Sequence, residues 1–254
     1  MPLQASDVAF AYAQGRHVLR GLSAAIHPAR VTAIIGPNGS GKSTLLRLFL
    51  GLLTPGTGLV ALDKAPVASL SERRRALRLA YVPQQASVAL AFSVVDVVAL
   101  GRYALPGDAL PPAMAALDRV ALADMAHVPF ATLSAGQRQR AVLARALAQL
   151  DQPPGPERFL LADEPFSAMD PRHALASAAL VRAIADSGVG VAIVLHDLAV
   201  VQAIADDVLL LSPGGGAILA DALDPDTLAR VFETPFLRWT TDDGRSMLHA
   251  APAR

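Results

Sequence analysis

The chain has 254 residues, 22 Lys plus Arg against 22 Asp plus Glu, a formal net charge of zero, and 53% hydrophobic residues. That composition specifies a folded chain, one large α/β domain or two small ones, and neutrality argues against a nucleic-acid binder. With no cysteine, disulfides, thiol catalysis and cysteine metal sites are excluded, which fits a reducing compartment. In chain order, Asp7 to Tyr12 alternates as an edge or antiparallel strand, Gln14-Gly15-Arg16 reads as a turn, and Val18 to Leu22 begins the next strand. Tyr12 suits either stacking on a purine base or an ordinary half-buried strand position.

Val31 to Ile35 is an apolar, β-branched run and reads as a buried parallel strand. It leads into Gly36, Pro37, Asn38, Gly39, Ser40, Gly41, Lys42, Ser43 and Thr44, which fit the phosphate-loop pattern. Leu45, Leu46, Leu48, Phe49 and Leu52 follow at helical spacing. The glycines therefore sit on a strand-to-helix turn. There the backbone can approach a polyphosphate closely, and the helix N-terminus adds partial positive charge. Lys42 supplies a full charge toward the β- and γ-phosphates, and Ser43 a hydroxyl ligand for Mg²⁺.

Thr54-Pro55-Gly56-Thr57-Gly58 ends the helix, and Leu59 to Leu62 reads as a short strand. Ser69 or Ser71 caps a helix whose Arg73, Arg74, Arg75 and Arg78 are read as a solvated face. Leu79 to Val82 is a strand ending at Pro83-Gln84. Ser93 to Leu100, Ala113 to Leu122 and Ala135 to Leu150 carry helical spacing, with Pro106, Pro111, Pro112 and Pro129 breaking the stretches between them. Ser134 is placed to cap the last of these, before a buried face of Val142, Leu143, Ala146, Leu147 and Leu150, and its N-terminus is a second anion site in principle.

Asp151 to Arg158, with three prolines and a glycine, reads as an exposed loop. Phe159 to Ala162 then runs into Asp163-Glu164. Two acids at a strand's end suit a Mg²⁺ ligand (Asp163) and a base that polarises water (Glu164), or a cap for the next helix. Asp170 caps a helix that has Pro171 at its first position. Val189 to Leu195 is another buried strand, ending at His196-Asp197. Val208 to Leu211 is read as the last core strand, followed by a tight turn at Pro213 to Gly216. Phe236 to Thr240, an Asp243-Gly244 turn and Ser246 to His249 form a hairpin signal.

In this order, the motifs resemble those of the ATP-binding subunits of ABC transporters over nearly the whole chain. The resemblance implies an α/β fold, a P-loop NTPase core of the ABC type with an antiparallel β subdomain and an inserted helical subdomain. Residues 1–84 and 151–220 would form the nucleotide-binding core, 85–150 the helical subdomain, and 221–254 a helix and hairpin tail. Tyr12 takes the adenine-stacking place, Gly36 to Thr44 Walker A, Gln84 the Q-loop, Leu133 to Gln137 the signature and Phe159 to Asp163 Walker B. Glu164 takes the catalytic glutamate's place, Ser167 to Asp170 the D-loop and His196 the switch histidine. Ala135 and Phe166 stand where the family usually has glycine and threonine, and Ala162 where it has leucine.

The implied mechanism is a head-to-tail homodimer that hydrolyses ATP. Ser134, Gly136, Gln137 and Asp170 would complete the partner's site, and Ser43, Gln84 and Asp163 would attend Mg²⁺. Partners implied are membrane permease subunits and a substrate-binding protein, with the chain peripheral on the cytoplasmic face of the inner membrane. No signal peptide or apolar run of about 18 residues is read from the chain, and a mean hydropathy of +0.40 fits apolar surface covered by a partner.

Phe92 to Tyr103 is similar to importers of iron chelates, haem and cobalamin, and the Pro-rich insert most resembles haemin importers. About 43 residues follow Leu211, fewer than the ~100 of a further regulatory domain. Competing readings are a soluble ABC ATPase of iron–sulfur assembly, one of DNA repair, which the lack of sustained heptads disfavours, and a nucleotide sensor without turnover, which Glu164 and His196 disfavour.

Overall fold

A computed structural model describes residues 1–13, 15, 17–85, 92–220, 223–240 and 246–251. The elements run β1 (Leu3–Ala11), β2 (His17–Ile26), β3 (Val31–Ile35), α1 (Lys42–Phe49), β4 (Thr57–Leu62), β5 (Ala65–Pro66), α2 (Glu72–Arg78) and β6 (Leu79–Val82). Helices α3 (Val94–Ala99), α4 (Leu110–Arg119) and α5 (Ala135–Leu150) follow. The chain then alternates through β7 (Phe159–Asp163), α6 (Pro171–Asp186), β8 (Gly190–Val194), α7 (Leu198–Ile204) and β9 (Asp207–Leu211). It closes with β10 (Ala217–Ala220), α8 (Pro225–Phe232), β11 (Phe236–Thr240) and β12 (Ser246–Ala250).

One sheet is antiparallel, ordered β2-β1-β4-β5; the larger is ordered β10-β9-β3-β8-β7-β6. In the larger sheet β9, β3, β8, β7 and β6 run parallel and β10 antiparallel. The parallel strands bury both faces, and alternate side chains feed different cores. Ile34, Phe159 and Leu161 join α1 and the antiparallel sheet, while Ile35, Leu160 and Ala162 join the helical region. The register levels the strand ends: Ile34 pairs with Val194, Val194 with Asp163, and Val82 with Ala162. Residues following β3, β6, β7 and β8 therefore emerge at one edge of the sheet, where ligands bind in such folds.

Several expectations change. Leu52 lies past the end of α1 and is 62% exposed, so the buried stripe stops at Phe49. Ser71, not Ser69, caps α2: its Oγ accepts from Arg74 N, while the Ser69 hydroxyl donates to the Pro66 carbonyl. The arginines of α2 are not simply a solvated face. Arg75 donates to the Gly51 carbonyl at 2.8 Å and Arg73 to Ala104. Arg78 pairs with Asp63 and Glu157 and donates to the Glu157 carbonyl. Their apolar stems and fixed donors clamp neighbouring loops.

Pro111 and Pro112 lie in the first turn of α4 rather than breaking the chain before it, as proline's missing N–H permits there. Strand β9 is not the last of its sheet, because the turn at 213–216 returns as β10. Strands β11 and β12 pair antiparallel as read, whereas the Asp243-Gly244 turn, Gln14 and Arg16 lie outside the described residues. Ser93, Ser134, Asp170 and Asp197 each cap a helix start with the side chain accepting a backbone N–H, which stabilises each by about 1 kcal/mol.

Candidate active site

Gly41 opens α1 at φ 100, a left-handed conformation that favours glycine, and an added Cβ would lie 2.8 Å from a Leu19 methyl. The loop thus presses against β2 while its tip, Asn38 and Gly39, stays exposed. The Lys42 ammonium is buried under the loop and donates to the Gly36 and Pro37 carbonyls at 2.8 and 2.9 Å. Burial holds its pKa below the usual lysine value, against the opposing pull of Glu164 and then Asp163. The Tyr12 hydroxyl lies 3.2 Å from Thr44 Oγ1, with the ring 41% exposed beside the loop and edge-on to Phe10.

Asp163 ends β7 and is 3% exposed. Burial raises its pKa above the ordinary carboxylate value, countered first by a hydrogen bond from Ser43. Its Oδ1 has no hydrogen-bond partner. A desolvated carboxylate with one free oxygen, next to a hydroxyl of the phosphate loop, fits a hard divalent cation that takes its remaining ligands from phosphates and water. Among the described residues no group of three or more His, Cys, Asp or Glu could hold a metal.

Glu164 has φ 47, an uncommon conformation for a side-chain-bearing residue. Its carboxylate lies between two groups: Gln84 Nε2 donates to Oε2 at 3.0 Å, and His196 Nε2 lies 2.7 Å from Oε1. Gln84, Glu164 and His196, each just past a parallel strand, thus meet in one cluster. In this arrangement Gln84 contacts Glu164 rather than the Ser43–Asp163 pair.

Ser134 Oγ accepts from Gln137 N at 3.3 Å and Gln137 Oε1 accepts from Ser134 N at 2.8 Å, closing a capping box at the start of α5. The hydrogen bonds of Ser134 stay within that first turn. Gly136 packs on the 166–169 turn: an added Cβ would lie 2.7 Å from the Ala168 carbonyl oxygen. Ala135, beside it, is exposed. Asp170 accepts from His173 N, which holds its carboxyl below the usual range. Phe166 is buried and Ala162 sits in the sheet between Val82 and Ile193, so both act in packing.

Two further residues lie against this site. Arg47 on α1 hydrogen-bonds Tyr81, whose hydroxyl pKa is raised chiefly by burial, and both feel Asp163. Gln139 is 3% exposed and bonds to Glu164 and Ala168 backbone atoms. Its signal was present: 139, 142, 143, 146, 147 and 150 form one helical stripe, and a glutamine on it must find partners.

The ABC transporter family model matches residues 19–167. The hemin import ATP-binding protein of Bordetella pertussis is 37% identical, covering 98% of this chain and all of its own. That of Pseudomonas fluorescens is 42% identical, covering 86% of this chain and 88% of its own. Among solved structures, a metal-chelate type ABC transporter in an inward-facing conformation aligns with TM-score 0.80 at 27% identity, over 100% of this chain and 98% of that one. A dimeric ATP-binding cassette in a post-hydrolysis state with ADP and Pi aligns with TM-score 0.76 at 26% identity, over 84% of this chain and 95% of that one.

Proposed function

The chain belongs to the ATP-binding subunits of ABC transporters, an ATPase family, and from that premise we propose how its residues divide the work of powering uptake of haem or a related iron chelate. The observation that carries the enzymatic reading is Glu164 held between Gln84 and His196, beside the buried, half-satisfied Asp163 and Ser43. Glu164 takes a proton from the attacking water, and His196, bonded to it, fixes its orientation and reaches the γ-phosphate side. Lys42 and the N–H groups of 36–44 bind the phosphates, and Tyr12 stacks on the adenine. Ser43 and Asp163, with Gln84 at the rim, would hold Mg²⁺, which when bound neutralises charge on the β- and γ-phosphates.

In the proposed homodimer, Ser134, Gly136, Gln137 and Asp170 of one chain close over the nucleotide of the other. Both phosphate-facing elements are helix starts, so anion binding is favoured from both sides. The working division is a nucleotide-binding core at 1–84 and 151–220, a helical subdomain at 85–150 and a tail at 221–254. Among the described residues no helix is long and apolar enough to cross a membrane. We assign the chain to the cytoplasmic face of the membrane, bound to permease subunits that receive ligand from a substrate-binding protein. A groove of about 390 Å³ lined by Leu50, Leu52, Tyr81, Leu100, Tyr103 and Arg145 supports a docking place beside the Phe92 to Tyr103 segment. Tyr103, at 70% exposed, and Leu52 supply apolar surface for it.

The haem assignment rests on relatives named as hemin import ATP-binding proteins at 37 to 42% identity. A strain lacking this gene and redundant importers, scored for growth on haem, ferric siderophores and cobalamin, should fail on haem alone while still capturing it outside the membrane. Failure on another of these ligands would reassign the cargo. Normal growth on all three would remove the importer assignment and leave the ATPase reading standing.

A further inference from the structure

Gln139 has no role in the scheme above, yet its amide spends its capacity on the site's backbone. Nε2 donates to the Glu164 carbonyl at 3.0 Å, and it lies 3.4 Å from the Gln84 carbonyl and 3.3 Å from Ser167 Oγ. Oε1 accepts from Ala168 N at 3.0 Å. The Ser167 hydroxyl adds a second donor to the Glu164 carbonyl at 3.1 Å. With the Ser167 backbone N–H at 3.3 Å, three donors converge on that carbonyl and help hold Glu164 in its left-handed conformation, which is uncommon and costly for a non-glycine residue.

One turn earlier on the same face of α5, Gly136 packs on the Ala168 carbonyl with no room for a methyl group. Helix α5 therefore meets the 164–168 turn at a steric point and at a polar point, both on rigid groups. A small movement of α5 cannot be absorbed between them; it must pass to Glu164.

We infer that Gln139 is a positioning residue that couples the two nucleotide sites of the dimer. This rests on the shared-site dimer proposed above. The start of α5, with Ser134 and Gly136, belongs to the partner's nucleotide, whereas Glu164 and Gln84 belong to the chain's own. Seating α5 on the partner's nucleotide sets the Glu164 backbone through the Gln139 amide, so that Glu164 reaches its working position when the opposite site is filled. A buried glutamine that merely satisfied its neighbours would support folding equally in both nucleotide states and would leave cooperativity unchanged.

The test compares the full-length wild type with Gln139→Glu and Gln139→Leu in steady-state ATP hydrolysis. Gln139→Glu keeps volume and the acceptor toward Ala168 N, but its carboxylate cannot donate to the two carbonyls. At pH 8 its kcat should fall about tenfold for the loss of donor contacts at Glu164. Its KM for MgATP should stay within about twofold, and the Hill coefficient should fall from about two toward one. The variant-to-wild-type rate ratio should recover toward pH 6, because the protonated carboxyl donates again. Gln139→Leu should lose rate and cooperativity without that recovery.

Wild-type kcat and Hill coefficient in a folded Gln139→Glu, a raised KM with unchanged kcat, or a pH-independent ratio would each overturn the coupling role. Should Gln139→Leu fail to fold, Gln139→Glu decides alone. Absence of turnover in the wild type would instead overturn the ATPase reading, and this inference with it.

Discussion

Asp163→Asn should stabilise the protein without nucleotide and remove most of what MgATP adds. Asp163 is 3% exposed, and its Oδ1 finds no partner. Burial outweighs the Ser43 hydrogen bond and the attraction of Arg47 and Lys42, so the folded-state pKa lies above the ordinary value. The sign follows from linkage. A carboxyl with a raised folded-state pKa favours the fold below its unfolded pKa, and that contribution is lost as pH rises through the folded value. At pH 7.5 the charged Asp163 therefore costs stability. Asparagine keeps the shape and can still accept from Ser43. Relieving one buried, partly unsatisfied carboxylate is worth ~1–2 kcal/mol. For a chain of this size that raises Tm by about 2–8 °C.

Addition of MgATP at about 100 times Kd should stabilise the wild type by ~2.7 kcal/mol. The variant, without the carboxylate that faces the cation, should gain far less, so the order of the two melts should reverse. Circular dichroism melts in EDTA at pH 7.5 and at pH 5, and again with MgATP, read all of this. The gap in EDTA should narrow at pH 5, where Asp163 moves toward its protonated form. An Asp163→Asn protein that melts at or below the wild type in EDTA at pH 7.5 would refute the reasoning.

Glu164→Gln should lower hydrolysis by about 10²–10⁴-fold, since the amide cannot accept the water's proton. ATP affinity should persist and an ATP-bound dimer accumulate on size exclusion; a purely monomeric profile with ATP and Mg²⁺ would count against the assignment. Lys42→Ala and Ser134→Arg proteins, each inactive alone, should regain partial activity when mixed, because both lesions can fall in one composite site and leave the other whole. Proven heterodimers with no activity at any ratio would argue against sharing.

What the sequence disclosed, and what it withheld, divide along a physical line. Strands β3 and β6 and helix α5 lie where their periodicity places them, because burial of a face is written locally as spacing. Caps at Ser134 and Asp170 are equally local, as each side chain reaches a backbone N–H three residues on. No local pattern joins positions 80 and 32 residues apart, so Glu164 and His196 were legible only from their places at strand ends and Gln84 only from the family resemblance. Bonds from long side chains to distant carbonyls were not legible. Arg75 to Gly51 and Arg78 to Glu157 turn an apparently solvated charge run into clamps, and nothing in α2 itself signals the acceptors. Leu52 was misplaced for a simpler reason: its spacing continues the stripe, but the helix has already ended.

Three unfavourable features of the molecule gather at one edge of the sheet. Lys42 and Asp163 are charges taken out of water, and Glu164 is held in a left-handed conformation. The strands behind them are buried on both faces and hold those residues against relaxation. The helical region joins the sheet at both ends of its strands through side chains that grip backbone carbonyls. Gln139 reaches Glu164, and Gln149 reaches Ala76 and Leu79 at 2.7 and 2.9 Å. Such bonds are directional and few, whereas the apolar contact around them is not. The proposed coupling uses that difference: the apolar contact tolerates a shift of α5, whereas the Gln139 amide and the Gly136 contact carry it to the turn that holds Glu164.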